Sequence, residues 1–175
     1  MISWVEKMLM LIKYFNLIGI IFVCSYIGIL KAQKYETRVI ELNKFQNALS
    51  VFKAKMEFTH EPIKNIFEEI SKVIYKDEKN IFKETIMSNQ RINENWIIQS
   101  EELKDKLNNE DIYIIKSFGK LLGKTDMQGQ VSEILLTKKL VEKQINQAEI
   151  ERQKNSKLCK TMGIISGLGI CIILI

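Results

Sequence analysis

Two uncharged runs constrain what this chain can become. Residues 14 to 30, YFNLIGIIFVCSYIGIL, carry no charge between Lys13 and Lys31, and residues 161 to 175, TMGIISGLGICIILI, carry none at all. A helix needs ~17–25 apolar residues to cross the hydrocarbon core of a bilayer. The first run sits at the lower end of that range, and the preceding MLMLI (8–12) lengthens it if Lys13 snorkels. The second is shorter. It reads as a span with local thinning, because a soluble helix does not need an all-round apolar tail of this kind. Ile29-Leu30-Lys31 is a poor signal peptidase site and Val23-Cys24 a poor lipoprotein site, so the first run is expected to be a retained anchor.

The flanks predict an orientation. Lys31, Lys34, Arg38 and Lys44 follow the first run, against Lys7 and Lys13 before it. Arg152, Lys154, Lys157 and Lys160 precede the second, and no basic residue follows it. Positive charge close to span ends marks the cytoplasmic side. The expected organisation is a short external tail and transmembrane helix over 1–30, a soluble cytoplasmic helical bundle over 31–160, and a C-terminal transmembrane helix over 161–175. The formal charge of +5 is too mild and too evenly mixed for a nucleic-acid binder.

One proline and eight glycines leave room for long helices. Tyr35, Leu42, Leu49 and Met56 recur every seven residues, with Val39, Phe45 and Phe52 between them, predicting a buried stripe on a helix that continues from the first span. THEP (59–62) breaks it, and Pro62 suits the first turn of a new helix carrying Ile63, Ile66, Phe67, Ile70, Val73 and Ile74. KDEKN (76–80) reads as a linker or a helix start. From Phe82 to Leu107 the pattern is weaker, with Ile86, Ile92, Trp96, Leu103 and Leu107 roughly on one face and Ser88-Asn89 as an interruption. NNED (108–111) looks like a turn and cap before a short helix with Ile112, Ile115, Phe118, Leu121 and Leu122. Met127, Ile134, Val141 and Ala148, with Val131 and Ile145, define the last helix. It is expected to run unbroken over 126–158 as a rod of ~50 Å. The fold class is therefore all-α, an antiparallel helical bundle flanked by N- and C-terminal transmembrane helices.

GKLLGKTDMQGQ (119–130) imitates a phosphate-binding loop. Such a loop needs four residues between its first glycine and Gly-Lys-Thr, so that successive N–H groups wrap the phosphates. Gly119 and Gly123 enclose three, and the flanks have helical rather than strand period. An inter-helix turn fits the same letters: Gly123 as a left-handed residue ending one helix, Thr125 capping the next, and Gln128 closing a capping box. The one histidine, His60, reads as a surface turn residue, and Cys24, Cys159 and Cys171 are neither a disulfide framework nor a zinc set. Trp4, Tyr14 and Trp96 read as interface anchors or core. No catalytic residue, cofactor or metal is expected. Small residues at Gly163 and Gly167, and at Gly28 and Ala32, have the four-residue spacing that lets membrane helices approach closely. They are candidates for helix packing, against the other span, a second copy or another protein.

These residues resemble the stage III sporulation protein AB family of endospore-forming bacteria. The likeness covers nearly the whole chain: CSYIG..KA (24–32), LNKFQNALSVFKAKMEFTHEPI (42–63) and, most specifically, FGKLLGKTDMQGQ (118–130). In the last, Leu122, Gly123, Asp126 and Gln130 match the family's Leu-Gly-x-x-Asp-x-x-x-Gln arrangement. Lys55-Met56 and Glu61-Pro62-Ile63 depart from its usual Glu-Ile and Thr-Pro-Leu. The first seven to nine residues look like an addition, with Met8 or Met10 as an alternative start.

The resemblance implies a cytoplasmic helical domain similar to those of the inner-membrane platform protein of type II secretion and type IV pilus machines. It implies a place in the mother-cell membrane facing the forespore, within a set of stage III sporulation membrane proteins that builds a channel. A secretion-type ATPase is the implied partner, and homo-oligomerisation through the transmembrane helices is open. A coiled-coil membrane adaptor or sensor that shares only helices and anchors is the alternative.

Overall fold

A computed structural model describes residues 2–174 apart from 60, 77, 88–90 and 125, and omits the side chains of 2, 3, 5, 6, 9, 10 and 121. His60, the Ser88-Asn89 interruption and Thr125 thus lie outside the described residues. Among the described residues seven α-helices follow in order: α1 (Ile2–Phe58), α2 (Ile63–Val73), α3 (Ile81–Met87), α4 (Ile92–Glu101), α5 (Asn109–Leu121), α6 (Met127–Glu151) and α7 (Lys157–Leu174). A 3₁₀ turn, Glu102–Asp105, follows α4, and a π-helical turn, Arg152–Ser156, separates α6 from α7. No strand occurs among the described residues. The all-α class and the two long apolar helices at either end are as the sequence predicts. The runs Leu11–Phe58 and Met127–Leu174 contain windows of mean hydropathy 1.9 and 1.7, long and apolar enough to cross a membrane.

The chain forms two compact units, one of Met1–Glu36 with Glu149–Ile175, the other of Thr37–Ala148. In the second unit, Val39, Leu42, Phe45, Leu49, Phe52 and Met56 of α1 are all buried, as their spacing requires. Arg38 of α1 meets Asp111 of α5, and Phe45 and Phe52 meet Phe118 of the same helix, so α1 and α5 run the same way. Arg38 also meets Gln144 of α6, while Phe52 shares a small cavity with Gln130 and Ile134, so α6 runs antiparallel to both. Trp96 of α4 is fully buried and touches the rings of Phe45, Phe67, Phe82 and Phe118 at centroid distances of 5.2–6.3 Å. Tilted and edge-on ring pairs of this kind add ~0.5–1.5 kcal/mol each beyond their buried area.

Several local expectations are corrected. Pro62 is the N-cap of α2 and not its first helical residue, with its carbonyl accepting from the Ile66 N–H. Val73 and Met127, predicted to be core, are exposed. On α6 the buried positions between Ile134, Val141 and Ala148 are Thr137 and Gln144, while Val131 and Ile145 are only half-buried. The rod expected over 126–158 is continuous from Met127, with a π-helical turn at Arg152–Ser156 that periodicity does not show. The linker at 76–80 ends in Asn80, whose side chain accepts from the Lys83 N–H and so caps α3.

In the other unit, α1 and α7 pair antiparallel in four-residue steps. Gly28 faces Gly163, Ile21 and Cys24 face Gly167, and the Cys171 thiol lies 3.4 Å from the Leu17 carbonyl oxygen. The outward positions are large and apolar, with Phe15, Phe22, Ile172 and Ile173 all more than seven-tenths exposed. Apolar surface of this extent does not persist in water and marks a face that meets lipid or another apolar surface.

Candidate functional site

Three arrangements carry the specific geometry of this chain. The first is a buried polar lock. Arg38 donates from Nε to Asp111 Oδ2 at 2.7 Å and from Nη2 to Asp111 Oδ1 at 3.1 Å. Its Nη2 also donates to Gln144 Oε1 at 3.1 Å. All three residues are buried. Asp111 has a second role: with Asn108 it forms a capping box, Asn108 Oδ1 accepting from the Asp111 N–H and Asp111 Oδ2 accepting from the Asn108 N–H. One carboxylate thus starts α5 and fixes that start against α1 and α6. The flank count used for orientation loses Arg38, because its charge is answered inside the bundle. Lys31, Lys34, Lys154, Lys157 and Lys160 remain exposed.

The second is the turn over 118–130. Leu122, at φ −55° and ψ 119°, is buried, and Gly123, at φ +72°, follows it. Those angles are the ones a type II turn takes at its two central residues, the second of which favours glycine. Asp126 caps α6: its Oδ1 accepts from the Gly129 N–H at 3.0 Å and its carbonyl from the Gln130 N–H. Gln130 and Leu122 line the small cavity beside Phe52 and Phe118. Gly119 serves a purpose that periodicity does not disclose. It lies against the Trp96 indole, whose Nε1–H donates to the Ile115 carbonyl, one turn earlier on α5, at 2.7 Å. Lys124 is exposed, as a turn residue would be.

The third is the glycine crossing of α1 and α7. A Cβ on Gly28 would stand 2.6 Å from the Cys159 carbonyl oxygen, and one on Gly163 2.8 Å from that of Cys24. On Gly167 it would stand 3.1 Å from the Ile21 Cα. The obstacles are backbone atoms, which cannot rotate away. Ala32, one turn beyond Gly28, is buried as well. Of the partners the spacing left open, this arrangement engages the chain's own first helix.

Among the described residues no group of three or more His, Cys, Asp or Glu side chains could hold a metal ion. Hydrogen bonds from Lys104 and Lys116 hold the Glu101 carboxyl down at about 2. Burial, with Glu41 nearby, pushes the Tyr75 phenol well above its usual range.

Residues 13–175 match the sequence profile of a family described as stage III sporulation protein AB. A curated relative, the stage III sporulation protein AB of Bacillus subtilis strain 168, is 22% identical over 170 residues, spanning 94% of this chain and 99% of that protein. A solved structure of a stage III sporulation protein AB (SpoIIIAB) superposes with a TM-score of 0.58 at 19% identity, covering 67% of this chain and 98% of its own, a likeness of fold. With the profile matched from the first apolar run to the last, the chain belongs to the stage III sporulation protein AB family.

Proposed function

We propose that this chain is a non-enzymatic membrane component of the sporulation apparatus, a scaffold whose helical bundle faces the mother-cell cytoplasm. It links a secretion-type ATPase to the membrane proteins of a channel directed at the forespore. The observation that carries this reading is that a chain of a sporulation family holds one helical bundle between two membrane-length helices. The exposed Lys31, Lys34, Lys154, Lys157 and Lys160 all lie on the bundle side of the two apolar runs in sequence, which favours a cytoplasmic bundle. The rigid core around Trp96 suits a part that transmits force or position and does no covalent chemistry.

The test is recovery of the tagged full-length chain in mild detergent from sporulating cells. Co-purification of the ATPase and of other stage III membrane proteins is expected, with a bundle substitution that leaves the chain folded able to release the ATPase. Recovery of the chain with membrane proteins but never with the ATPase would remove the motor link. The purified chain is expected neither to bind nor to hydrolyse ATP, and saturable binding abolished by Lys124→Ala would overturn the scaffold reading.

A further inference from the structure

We propose that the groove between α1 and α7 binds an anionic phospholipid, with an acyl chain along the groove and the phosphate at Lys31 and Lys34. The inference rests on reading this helix pair as membrane-spanning. The helices touch at Gly28 and Gly163, and beside that contact the missing side chains leave a groove of about 290 Å³. Ile27, Met162 and Ser166 line it together with the two glycines, and Lys31 lies at its basic end. The Ser166 hydroxyl is turned back onto the Gly163 carbonyl at 3.1 Å, so the groove asks for no polar occupant along its length.

Charge selects the occupant. Lys31 and Lys34 stand four and seven residues after Ile27, on the same stripe of α1. Both are exposed, and neither has an ion-pair partner among the described residues. Lys154 in the π-turn and Lys157 and Lys160 in the first turn of α7 add to the basic surplus in the same unit. A second copy seated in the groove would bring the same lysines against these. A headgroup phosphate brings the complementary charge at the depth where lysines near a span end meet lipid phosphates.

The full-length chain is placed in phosphatidylcholine nanodiscs containing a minor share of phosphatidylglycerol, and the lipid retained per chain is read by native mass spectrometry. Phosphatidylglycerol should be enriched on the chain over its share in the disc. Lys31→Gln with Lys34→Gln should lower that enrichment by roughly fivefold per lysine. Ser166→Leu, which fills the groove and keeps both lysines, should also lower it, and Lys7→Gln should leave it unchanged. Equal retention of the two lipids, or enrichment that survives both the lysine pair and Ser166→Leu, overturns the proposal. A lipid-free dimer abolished by Ser166→Leu overturns it in favour of a second copy. Release of the chain from vesicles by alkaline carbonate would overturn the spanning reading and this proposal together, whereas firm insertion without lipid preference overturns the lipid site alone.

Discussion

The indole of Trp96 lies where a side chain on Gly119 would begin, so a fully buried ring of the bundle reaches the backbone of α5 through a missing Cβ. Gly119→Ala should therefore destabilise the chain even though alanine is the better helix former by ~1 kcal/mol. Overpacking against a fully buried ring should outweigh that gain, for a net loss of about 2 kcal/mol or more. Denaturant melts of the detergent-solubilised protein would measure it. Gly119→Ala combined with Trp96→Phe should lose less than the two single losses added, because the smaller ring relieves the overlap. Simple additivity would mean that the contact does not constrain the fold.

Among the described residues a Cβ on Gly123 would meet the Ile63 Cδ1 atom at 3.8 Å, an ordinary contact, so the restriction at this residue is conformational. Gly123→Val should cost roughly 1–2 kcal/mol for holding a branched residue at positive φ. Gly123→Asn should cost much less, since asparagine tolerates that region, and Lys124→Ala should be silent. Equal losses for valine and asparagine would point to packing instead.

Asp111→Ala removes a buried countercharge and a cap together. Breaking a buried pair by deleting one partner costs ~3–5 kcal/mol. Arg38→Met with Asp111→Ala should recover most of that and retain a deficit of about 1 kcal/mol for the lost cap. A double variant less stable than Asp111→Ala would show that the lock matters for more than its own charge balance.

Glu101 should titrate at about 2 in the folded chain, because Lys104 and Lys116 both hydrogen-bond to its charged form. The sign follows from the depressed value. The contribution to stability is complete above the unfolded carboxyl's 4.5 and is lost as the pH falls from there towards 2. Site-resolved carboxyl NMR would read the midpoint, and Glu101→Gln should flatten the stability profile across that window.

Close packing across Gly163 and Gly167 of α7 should depend on their lack of side chains. In a chain with Leu17→Cys, Cys24→Ser and Cys159→Ser, oxidation should join Cys171 to residue 17, since the Cys171 thiol already touches the Leu17 backbone. Adding Gly163→Leu and Gly167→Leu should abolish that cross-link while membrane insertion persists. A cross-link that survives would mean the helices pair through other positions.

How much the sequence discloses differs by element. The stripes of α1 and the α5 core are legible because large apolar residues recur at helical period. α4 is not, because its buried face carries Asn95 and Ser100, whereas Ile98 is exposed. Those polar groups are satisfied locally: Asn95 donates to the Glu84 and Thr85 carbonyls near the end of α3, and Ser100 to the Trp96 carbonyl. Periodicity cannot see a polar residue whose partner is backbone. The burial of Arg38 is legible in principle. It stands three residues after Tyr35 and four before Leu42, on the buried stripe, and a charge in that register needs a buried counterion. Counting it as a membrane flank misses that register. The role of Gly119 requires knowing which ring arrives from another helix.

The double duty of Asp111 bears on how relatives of this chain can drift in length. Asn108 and Asp111 must stay three residues apart for the capping box, and Asp111 must stay in phase with Arg38, 73 residues away. A single inserted or deleted residue between 108 and 111 would undo the helix start and the interhelical pair in one step. The linker between α2 and α3 is tied differently: Asn80 donates to the Ser71 hydroxyl at 2.9 Å and the Glu78 N–H to the Tyr75 carbonyl, around Lys76 at φ 51°. Insertions and deletions are therefore expected to spare 108–111.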